Sequence, residues 1–365
     1  MVINNVNEVL KNFKITGSVT KCGPYGNGHI NDTFLVYCEN AGETKRYILQ
    51  KISRNVFKKP EEVMSNVVRV TNFLRERTDD TRKVMGVVPT VNNEFYFLDE
   101  NKECWRMYDF IENSICLEKP ENKEDFYQCA IAFGKFRHSL NDFPANELYE
   151  TIPDFHNTQK RYRDFLEAVE KDVCGRAAGV QKEIEFVNKR ADFYSVLNDA
   201  HKAGKLPIRV THNDTKINNV MLDASTRTPL CVIDLDTVMP GFSVTDFGDS
   251  IRFGANTAAE DETDVSKVGL DMELFDIYAN GYICGCGGTL SKEEIMLMPE
   301  GAKMMTIECG MRFLTDYLQG DTYFKIKYPE HNLVRCRTQF KLVFEMEKHW
   351  NEMKETVKKY LVQKP

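Results

Sequence analysis

The sequence lacks several features that would assign it to a specialised class. It has no apolar run of about 18 residues, the length that a membrane-spanning helix needs, and its start lacks the basic and apolar stretches of a signal peptide. Its 11 cysteines form no C-x-x-C pair, and its 7 histidines are dispersed. These absences disfavour a structural zinc site and a membrane anchor, and they predict a cytoplasmic protein with reduced thiols.

Positive charge is also in deficit. The chain has 48 Lys and Arg residues against 55 Asp and Glu residues, a net charge of -7, so it has no basic excess with which to bind nucleic acid. Its 365 residues exceed the size at which one hydrophobic core stops growing, and 42% of them are apolar. We therefore expect a soluble protein of two lobes that acts on small molecules.

The most informative segment is His212-Asn213-Asp214-Thr215-Lys216-Ile217-Asn218-Asn219, which reads H-x-D-x-x-x-x-N. An apolar run, Leu230-Cys231-Val232-Ile233, follows it and leads into Asp234-Leu235-Asp236. Phosphoryl transfer uses a carboxylate that accepts a hydroxyl proton, then an amide oxygen that holds Mg²⁺, then a carboxylate at a strand end for the metal that bridges the nucleotide phosphates. The order and spacing of these groups predict a kinase.

Each residue of this pattern has a predicted role. Asp214 is the expected general base, and Asn219 and Asp234 are the expected ligands of Mg²⁺, which prefers oxygen donors. Lys216 follows the base by two residues and is placed to follow the charge of the migrating phosphoryl group. Asp236 is either a second or water-mediated metal ligand, since alternate strand residues share a face, or a solvated strand end. An alternative for Asp214 is to cap a helix that begins at Lys216.

A second acidic segment, Asp246-Phe247-Gly248-Asp249, matches the D-F-G sequence of protein kinases. It follows a Pro240-Gly241 turn and opens a predicted helix, whereas Asp234 stands at the end of an apolar strand. We therefore place the metal ligand at Asp234. Asp246 is expected to have a structural role, accepting hydrogen bonds that hold the catalytic loop, and His212 is expected to brace that loop through its ring.

The first hundred residues alternate strand-like runs with turns. Strands are expected at residues 33–38, 46–52, 94–98 and 105–111. A glycine cluster precedes the first hairpin, and Pro60 begins an amphipathic helix after it. The backbone amides at Gly26 and Gly28 are expected to cover nucleotide phosphates. Lys51, at the end of the hairpin, is the candidate partner of these phosphates, with a surface lysine as the alternative.

Helical patterns dominate from about residue 120, with long helices expected at 301–319 and 338–360. Tyr108 stands at the expected hinge and is predicted to contact the nucleotide. The pattern as a whole predicts an α+β, two-lobed, protein-kinase-like fold. Residues 1–111 would form a small β-rich N-lobe that binds the nucleotide. Residues 112–365 would form a larger, mostly α-helical C-lobe with the catalytic loop, the metal site and the acceptor site.

The chain lacks the A-P-E segment of protein kinases and resembles the aminoglycoside phosphotransferase and choline-kinase-like superfamily. More closely, its residues 211–253 look like the bacterial N-acetylhexosamine 1-kinases. The likeness continues in Glu308-Cys309-Gly310-Met311-Arg312-Phe313-Leu314-Thr315-Asp316-Tyr317-Leu318 and in Gly26-Asn27-Gly28-His29-Ile30-Asn31-Asp32-Thr33. It implies ATP- and Mg²⁺-dependent phosphorylation of N-acetylglucosamine or N-acetylgalactosamine at the anomeric hydroxyl.

The resemblance also implies roles for single residues. It places Arg312 and Tyr323 near the sugar. It carries His29, Asn31 and Asp32 past the glycine loop to the sugar side of the nucleotide site.

Several alternatives remain open on the residues alone. Arg312 has Glu308 four residues before it and Asp316 four residues after it, which also fits a surface charge ladder. Another small-molecule kinase, for choline, ethanolamine, homoserine, methylthioribose or an aminoglycoside, would use the same core. A sulfatase would need an arginine after Cys22-Gly23-Pro24, which is absent, and a binding module without catalysis would not need the base and the metal ligands.

Overall fold

The structure, a computed structural model, describes residues 2–26 and 30–361. The chain divides into two compact units that are each discontinuous in sequence. The first unit comprises Met1–Ile115, Asp142–Pro153 and Met221–Pro240, and the second comprises Cys116–Asn141, Asp154–Val220 and Gly241–Pro365. The first unit therefore contains the strand and acidic segment that end in Asp236, in addition to the N-terminal residues.

The first unit is built on a five-stranded sheet with the order β1-β2-β3-β5-β4. The strands are β1 (Ser18–Pro24), β2 (Asp32–Asn40), β3 (Glu43–Ile52), β4 (Phe97–Leu98) and β5 (Cys104–Asp109). Strands β2 and β3 form the expected hairpin, and its two turn residues, Ala41 and Gly42, have φ of 50° and 86°. Positive φ at both positions is the geometry of a tight hairpin turn, which matches the twist of the paired strands.

The two faces of this sheet carry different side chains. On one face, Tyr47, Leu49 and Met107 pack against helix α1 (Val2–Leu10) in the core of the unit. The other face carries Gln50 and Arg106, and helix α2 (Pro60–Arg75) begins at Pro60 as expected, with Glu61 and Glu62 in its first turn. Adjacent residues of a strand point to opposite faces, so position along the strand decides which residues reach α2.

The remaining strands are short. They are β6 (Ser114–Cys116), β7 (Arg209–Thr211), β8 (Val220–Asp223), β9 (Pro229–Val232) and β10 (Met239–Gly241). Strands β8 and β9 are neighbours in a small sheet, and β9 ends two residues before Asp234. The predicted apolar strand before Asp234 is therefore present.

The second unit is mostly helical. Its helices are α3 (Lys123–Ser139), α4 (Thr158–Lys171), α5 (Gln181–Asn188), α6 (Val196–Lys202), α7 (Ser243–Gly254), α8 (Met272–Gly285), α9 (Lys292–Met296), α10 (Met298–Leu318), α11 (His331–Lys348) and α12 (Trp350–Lys359). The single long helix predicted at 338–360 is wrong, because His349 separates α11 from α12. Within the described residues, no helix is both long and apolar enough to cross a membrane.

Helices α7 and α10 approach each other through glycine. A Cβ atom on Gly248 would lie 2.3 Å from the carbonyl oxygen of Gly301, and one on Gly301 would lie 2.0 Å from that of Val244. No side chain larger than hydrogen fits at either contact. This close packing fixes α7, which carries Asp246 and Asp249, against the longest helix of the unit.

Candidate active site

The octet 212–219 lies in the second unit. It follows β7 as a loop, and its last three residues, Ile217–Asn219, form a 3-10 turn. Asp246 on α7 accepts hydrogen bonds from the backbone N–H groups of His212 and Asn213, each at 2.8 Å. The N–H of Thr215 donates to Asp249 at 3.1 Å. The hydrogen bonds predicted for Asp246 are therefore present, and Asp249, which the sequence analysis missed, adds another one helical turn later.

The loop backbone is held in an uncommon conformation. Asn213 has φ of 64°, in the left-handed region that asparagine tolerates better than most residues. Its carbonyl faces Nε2 of His156 at 3.3 Å, and Nδ1 of the same ring lies 2.9 Å from Glu308. His156 therefore connects the loop to α10. No local pattern marks this histidine, because it lies 57 residues before its loop partner.

The Asp214 carboxylate has two neighbours that fix its orientation. The ammonium of Lys216 lies 2.7 Å from Oδ1, and the side-chain amide of Asn219 donates to Oδ2 at 3.1 Å and to the Asp214 carbonyl at 2.8 Å. Burial by itself would raise the pKa of Asp214, but Lys216, His212 and Asn219 together hold that pKa below its ordinary value. Asp214 is therefore ionised near neutral pH and unable to rotate freely.

The His212 ring is buried against two aromatic edges. Phe133 and Phe136 on α3 lie 5.5 and 5.9 Å away, both in edge-to-face orientation. The backbone N–H of Asp214 points at Nδ1 of His212 at 3.3 Å. This contact agrees with the predicted bracing role. The His212 side chain is fully buried.

Asp246 has an unusual protonation equilibrium. Burial raises its pKa to about 6, against the opposing effects of His212 and of the two backbone hydrogen bonds. The two backbone hydrogen bonds fix the position of this carboxyl group, while burial disfavours its charged form. Its titration lies close to neutral pH.

Arg312 on α10 lies among aromatic rings rather than in a charge ladder. Its guanidinium carbon is 5.5 Å from the ring centres of Phe155 and Phe324 and 5.8 Å from that of Tyr323. Tyr323 is 60% exposed, so this group borders solvent. The structure brings together the two residues, Arg312 and Tyr323, that the resemblance places near the acceptor.

The two carboxylates that would form the ladder have other partners. Glu308 accepts hydrogen bonds from His156 and Thr158. Asp316 accepts from the backbone N–H groups of Tyr323 and Phe324 and thereby holds the loop after α10. In the described parts of the chain, neither forms an ion pair with Arg312, so the ladder interpretation is wrong.

Asp234 lies in the first unit, where the backbone leaves β9. It has φ of 58° and ψ of 59°, and the next three residues, Leu235–Thr237, form a 3-10 turn. Asp234 is exposed, whereas Leu235 and Asp236 are buried. A left-handed conformation is uncommon for a residue other than glycine and persists only where the surrounding structure determines it.

Asp236 is neither a solvated strand end nor exposed like Asp234. Both of its carboxylate oxygens pair with the guanidinium of Arg106, Oδ2 at 2.9 Å, and Oδ2 also accepts from Asn31 at 2.8 Å. Its carbonyl accepts from the Thr151 hydroxyl at 3.0 Å. The solvated interpretation is therefore wrong, and its oxygens are already engaged by protein donors.

Lys51 is on the wrong face of the sheet for its predicted role. Its ammonium pairs with Asp32 at 2.9 Å, and its cross-strand neighbour is Trp105, a member of the α1 core. Gln50, one residue earlier, points to the other face and contacts Arg106, which in turn holds Asp236. Because strand side chains alternate, Lys51 points away from the acidic segment.

Several of the other residues predicted in the first unit are engaged by protein groups. Asn31 uses its amide nitrogen on Asp236 and its amide oxygen on the N–H of Ser53 at 3.0 Å, and Asp32 is paired with Lys51. Tyr108 is buried, with its hydroxyl enclosed. Gly26 is exposed with φ of 77°. Gly28 and His29 lie outside the described residues.

Known proteins share the fold of this chain. The aminoglycoside phosphotransferase from Alicyclobacillus acidocaldarius subsp. acidocaldarius DSM 446 has a similar structure, with a TM-score of 0.64 and 12% identity over 97% of this chain and 96% of that one. Choline kinase from Cryptosporidium parvum Iowa II gives a TM-score of 0.57 and 13% identity over 99% of each chain. A microcompartment-associated aminopropanol kinase gives 0.58 and 13%, over 96% and 98% of the two chains.

Identities this low show the fold alone, and they confirm the predicted fold class. The sequence itself matches the model of one family over residues 21–273, which is more than half of the chain. That match covers β2, β3, the octet, the Asp234 segment and α7. The chain therefore belongs to the phosphotransferase enzyme family.

Proposed function

We propose that the protein is a small-molecule kinase that transfers the γ-phosphoryl group of ATP to the anomeric hydroxyl of an N-acetylhexosamine. The observation that carries this proposal is the Asp214 carboxylate. It is ionised, oriented by Lys216 and Asn219, and mounted on a loop that α7 braces through several backbone and side-chain hydrogen bonds. A structural aspartate would not need this arrangement.

Asp214 is the proposed general base. The transition state of phosphoryl transfer is loose, so the acceptor hydroxyl gives up its proton late and the orientation of the base matters more than its basicity. The lowered pKa of Asp214 suits such a role, because the carboxylate stays ionised and only accepts the proton as the new bond forms. Lys216, beside it, is the proposed electrostatic partner of the transferring group.

Asn219 and Asp234 are the proposed ligands of Mg²⁺, and the donor atoms fit this ion. The amide nitrogen of Asn219 donates to Asp214, so its amide oxygen is the atom turned toward a cation. Asp234 offers an exposed carboxylate. Both are hard oxygen donors, as Mg²⁺ requires. When bound, the ion neutralises charge on the phosphate oxygens.

Arg312 and Tyr323 are the proposed acceptor site. A sugar presents hydroxyl oxygens and an acetamido carbonyl, which accept hydrogen bonds from a guanidinium, and an apolar ring face, which packs on an exposed tyrosine. Two observations support this assignment. The guanidinium carbon of Arg312 lies 5.8 Å from the ring centre of Tyr323, and residues 308–318 resemble those of N-acetylhexosamine 1-kinases. In the described residues, neither Glu308 nor Asp316 forms an ion pair with Arg312, so these carboxylates do not occupy its guanidinium.

The same group of side chains disfavours a cationic acceptor. A quaternary amine binds the faces of aromatic rings. Here the rings of Phe155, Tyr323 and Phe324 already surround the guanidinium of Arg312, which would repel a second cation. Choline and ethanolamine therefore rank below a neutral sugar as acceptors, although relatives in fold include a choline kinase.

The test is a panel of acceptors. N-acetylglucosamine, N-acetylgalactosamine, 1-deoxy-N-acetylglucosamine, choline and homoserine are each incubated with ATP and Mg²⁺, and the products are followed by phosphorus NMR. We expect a sugar 1-phosphate from the first two and no product from the 1-deoxy sugar. A 6-phosphate product would contradict the anomeric assignment, and phosphocholine as the main product would contradict the sugar.

A further inference from the structure

A buried arginine in the first unit has no role in the site so far described. Arg106 on β5 is 1% exposed and is among the largest fully buried side chains of the described chain. Every nitrogen of its guanidinium has a partner. Nε donates to Gln50 at 3.0 Å, Nη1 and Nη2 donate to the two oxygens of Asp236, and Nη1 also lies 3.9 Å from the sulfur of Met64.

Because Arg106 is 1% exposed and each of its three guanidinium nitrogens has a protein partner, its guanidinium is enclosed by protein groups. Burial acts to lower the pKa of Arg106, but Asp236 outweighs this effect and raises the pKa above its ordinary value, so the side chain is charged. A buried charge is costly unless a partner matches it in charge and geometry. The matching partner is one carboxylate, gripped at both oxygens, which is the most directional ion pair that proteins form.

The pair acts on the turn that follows Asp234. Asp236 is held by Arg106 and Asn31 through its carboxylate and by Thr151 through its carbonyl. Two residues later, the carbonyl of Val238 accepts a hydrogen bond from Asn66 on α2 at 3.0 Å. The turn is therefore fixed at Asp236 to β5 and to Asn31, the residue before β2, and at Val238 to α2.

Asp234 lies between this fixed turn and β9, and its backbone is left-handed. A non-glycine residue keeps such a conformation only where its surroundings determine it. The side chains that hold Asp236 fix the backbone on the C-terminal side of Asp234. A small movement of Asp236 would release Asp234 to a commoner conformation and redirect its carboxylate.

We propose that Arg106 is a positioning residue for the metal site. Through its two-point grip on Asp236 it sets the backbone of Asp234 and thereby aims that carboxylate at the metal. The proposal rests on the proposed function, because it takes Asp234 as a ligand of Mg²⁺. Residues that orient metal ligands in this way typically change metal affinity by about 10- to 100-fold when they are removed.

The experiment uses the full chain and Mn²⁺ with ADP as the probe. Binding of Mn²⁺ is titrated by electron paramagnetic resonance, which does not depend on turnover. Four variants are compared with wild type: Asp234→Asn, the double variant Arg106→Met with Asp236→Leu, Arg106→Lys, and the control Arg190→Met. The double variant replaces a buried ion pair by apolar side chains, a change that folded proteins often tolerate without loss of stability.

The control removes another arginine that pairs with both oxygens of one carboxylate. Arg190 grips both oxygens of Glu347 at 2.8 and 2.6 Å, and both residues lie in the second unit, outside the proposed site. If the Arg106 pair acts only on stability, its removal should leave Mn²⁺ binding unchanged, as removal of the Arg190 pair should.

The expected result is a dissociation constant for Mn²⁺ raised about 10-fold or more in Asp234→Asn, in the double variant and in Arg106→Lys, and unchanged in Arg190→Met. If only Asp234→Asn weakens Mn²⁺ binding, the positioning role is wrong and the metal assignment stands. If Asp234→Asn has no effect, the metal assignment itself fails and the positioning role fails with it. Should the double variant not fold, Arg106→Lys decides, because it keeps the charge and loses the two-point grip.

Discussion

The Lys216 ammonium lies 2.7 Å from Oδ1 of Asp214, while the Asn219 amide holds Oδ2 of the same carboxylate at 3.1 Å. The proposed base is thus gripped at both oxygens before any substrate arrives. Such a carboxylate is a weaker base than a free one, yet it points in one direction. Positioning rather than basicity is therefore the property that the loop provides.

Replacing the proposed base should separate catalysis from binding. Asp214→Asn is expected to lower kcat by roughly 10²- to 10⁴-fold, the usual contribution of a positioned acid–base group. The dissociation constant of ATP should stay within a few-fold of wild type. Stopped-flow or coupled assays give kcat, and calorimetry gives ATP affinity. Asp199→Asn, on the exposed surface of α6, is the matched control. A loss of less than a few-fold in kcat would show that Asp214 is not the base.

Removing the neighbouring cation should move the pH dependence of kcat. The pKa of Asp214 is lowered against burial chiefly by Lys216, so Lys216→Met should raise that pKa. The acid limb of the pH–kcat profile is then expected at higher pH than in wild type, because the base is protonated sooner as the pH falls. Lys202→Met, which removes an exposed lysine on α6, should leave the limb in place. An unchanged limb in Lys216→Met would show that a different group controls it.

Asp246 should leave a signature in the pH dependence of stability. Its pKa in the folded protein is about 6, above the ordinary 3.8, so the folded state binds a proton that the unfolded state has released between these values. The free energy of unfolding is therefore expected to fall as the pH rises from about 4 to 6, by on the order of 2–3 kcal/mol. Asp246→Asn should lack this component.

This pH-dependent part of the free energy of unfolding is measured by urea denaturation of wild type and Asp246→Asn between pH 4 and 7.5. The free energy of unfolding of wild type minus that of Asp246→Asn should fall as the pH rises from about 4 to 6 and should be constant above pH 7. Parallel curves for the two proteins across the whole range would show that Asp246 does not titrate there. The variant should keep its Mg²⁺ dependence, since the metal ligand is proposed at Asp234.

Arg312→Ala should act on one substrate only. Loss of a charged hydrogen-bond donor to the sugar, worth about 1.5–3 kcal/mol, is expected to raise the KM for N-acetylhexosamine by roughly 10- to 100-fold and to leave the KM for ATP within a few-fold. Initial-rate kinetics with each substrate varied in turn give both constants. Arg337→Ala, which breaks an exposed pair with Glu183 on α5, is the control. Equal changes in both KM values would show that Arg312 is structural.

How far the site could be read from the sequence depends on how local its contacts are. The octet and the strand before Asp234 are local patterns, and the hydrogen bonds of Asp246 follow from its place at the start of α7. Asp249 could have been found as well, because it lies three residues after Asp246 on the same helix face. An arginine within the apolar run of β5 was also a signal of a buried ion pair.

Other features depended on geometry that no short pattern carries. Lys51 was assigned by its position at the end of a hairpin, but one residue along a strand changes the face, and the side chain facing the acidic segment is Gln50. His156 reaches the catalytic loop across 57 residues. The sequence predicted a single boundary after residue 111. In the structure, residues 142–153 and 221–240 also belong to the first unit, so the chain passes between the two units several times.

The alternation along β3 limits how much charge this face of the sheet can hold. Gln50 accepts a hydrogen bond from Arg106, on a face where one buried cation is already matched to one buried carboxylate. A lysine at position 50 would set a second cation beside the first with no second anion to balance it. Positions 50 and 106 therefore share one charge balance: a cation at position 50 is expected to be tolerated only when position 106 becomes neutral.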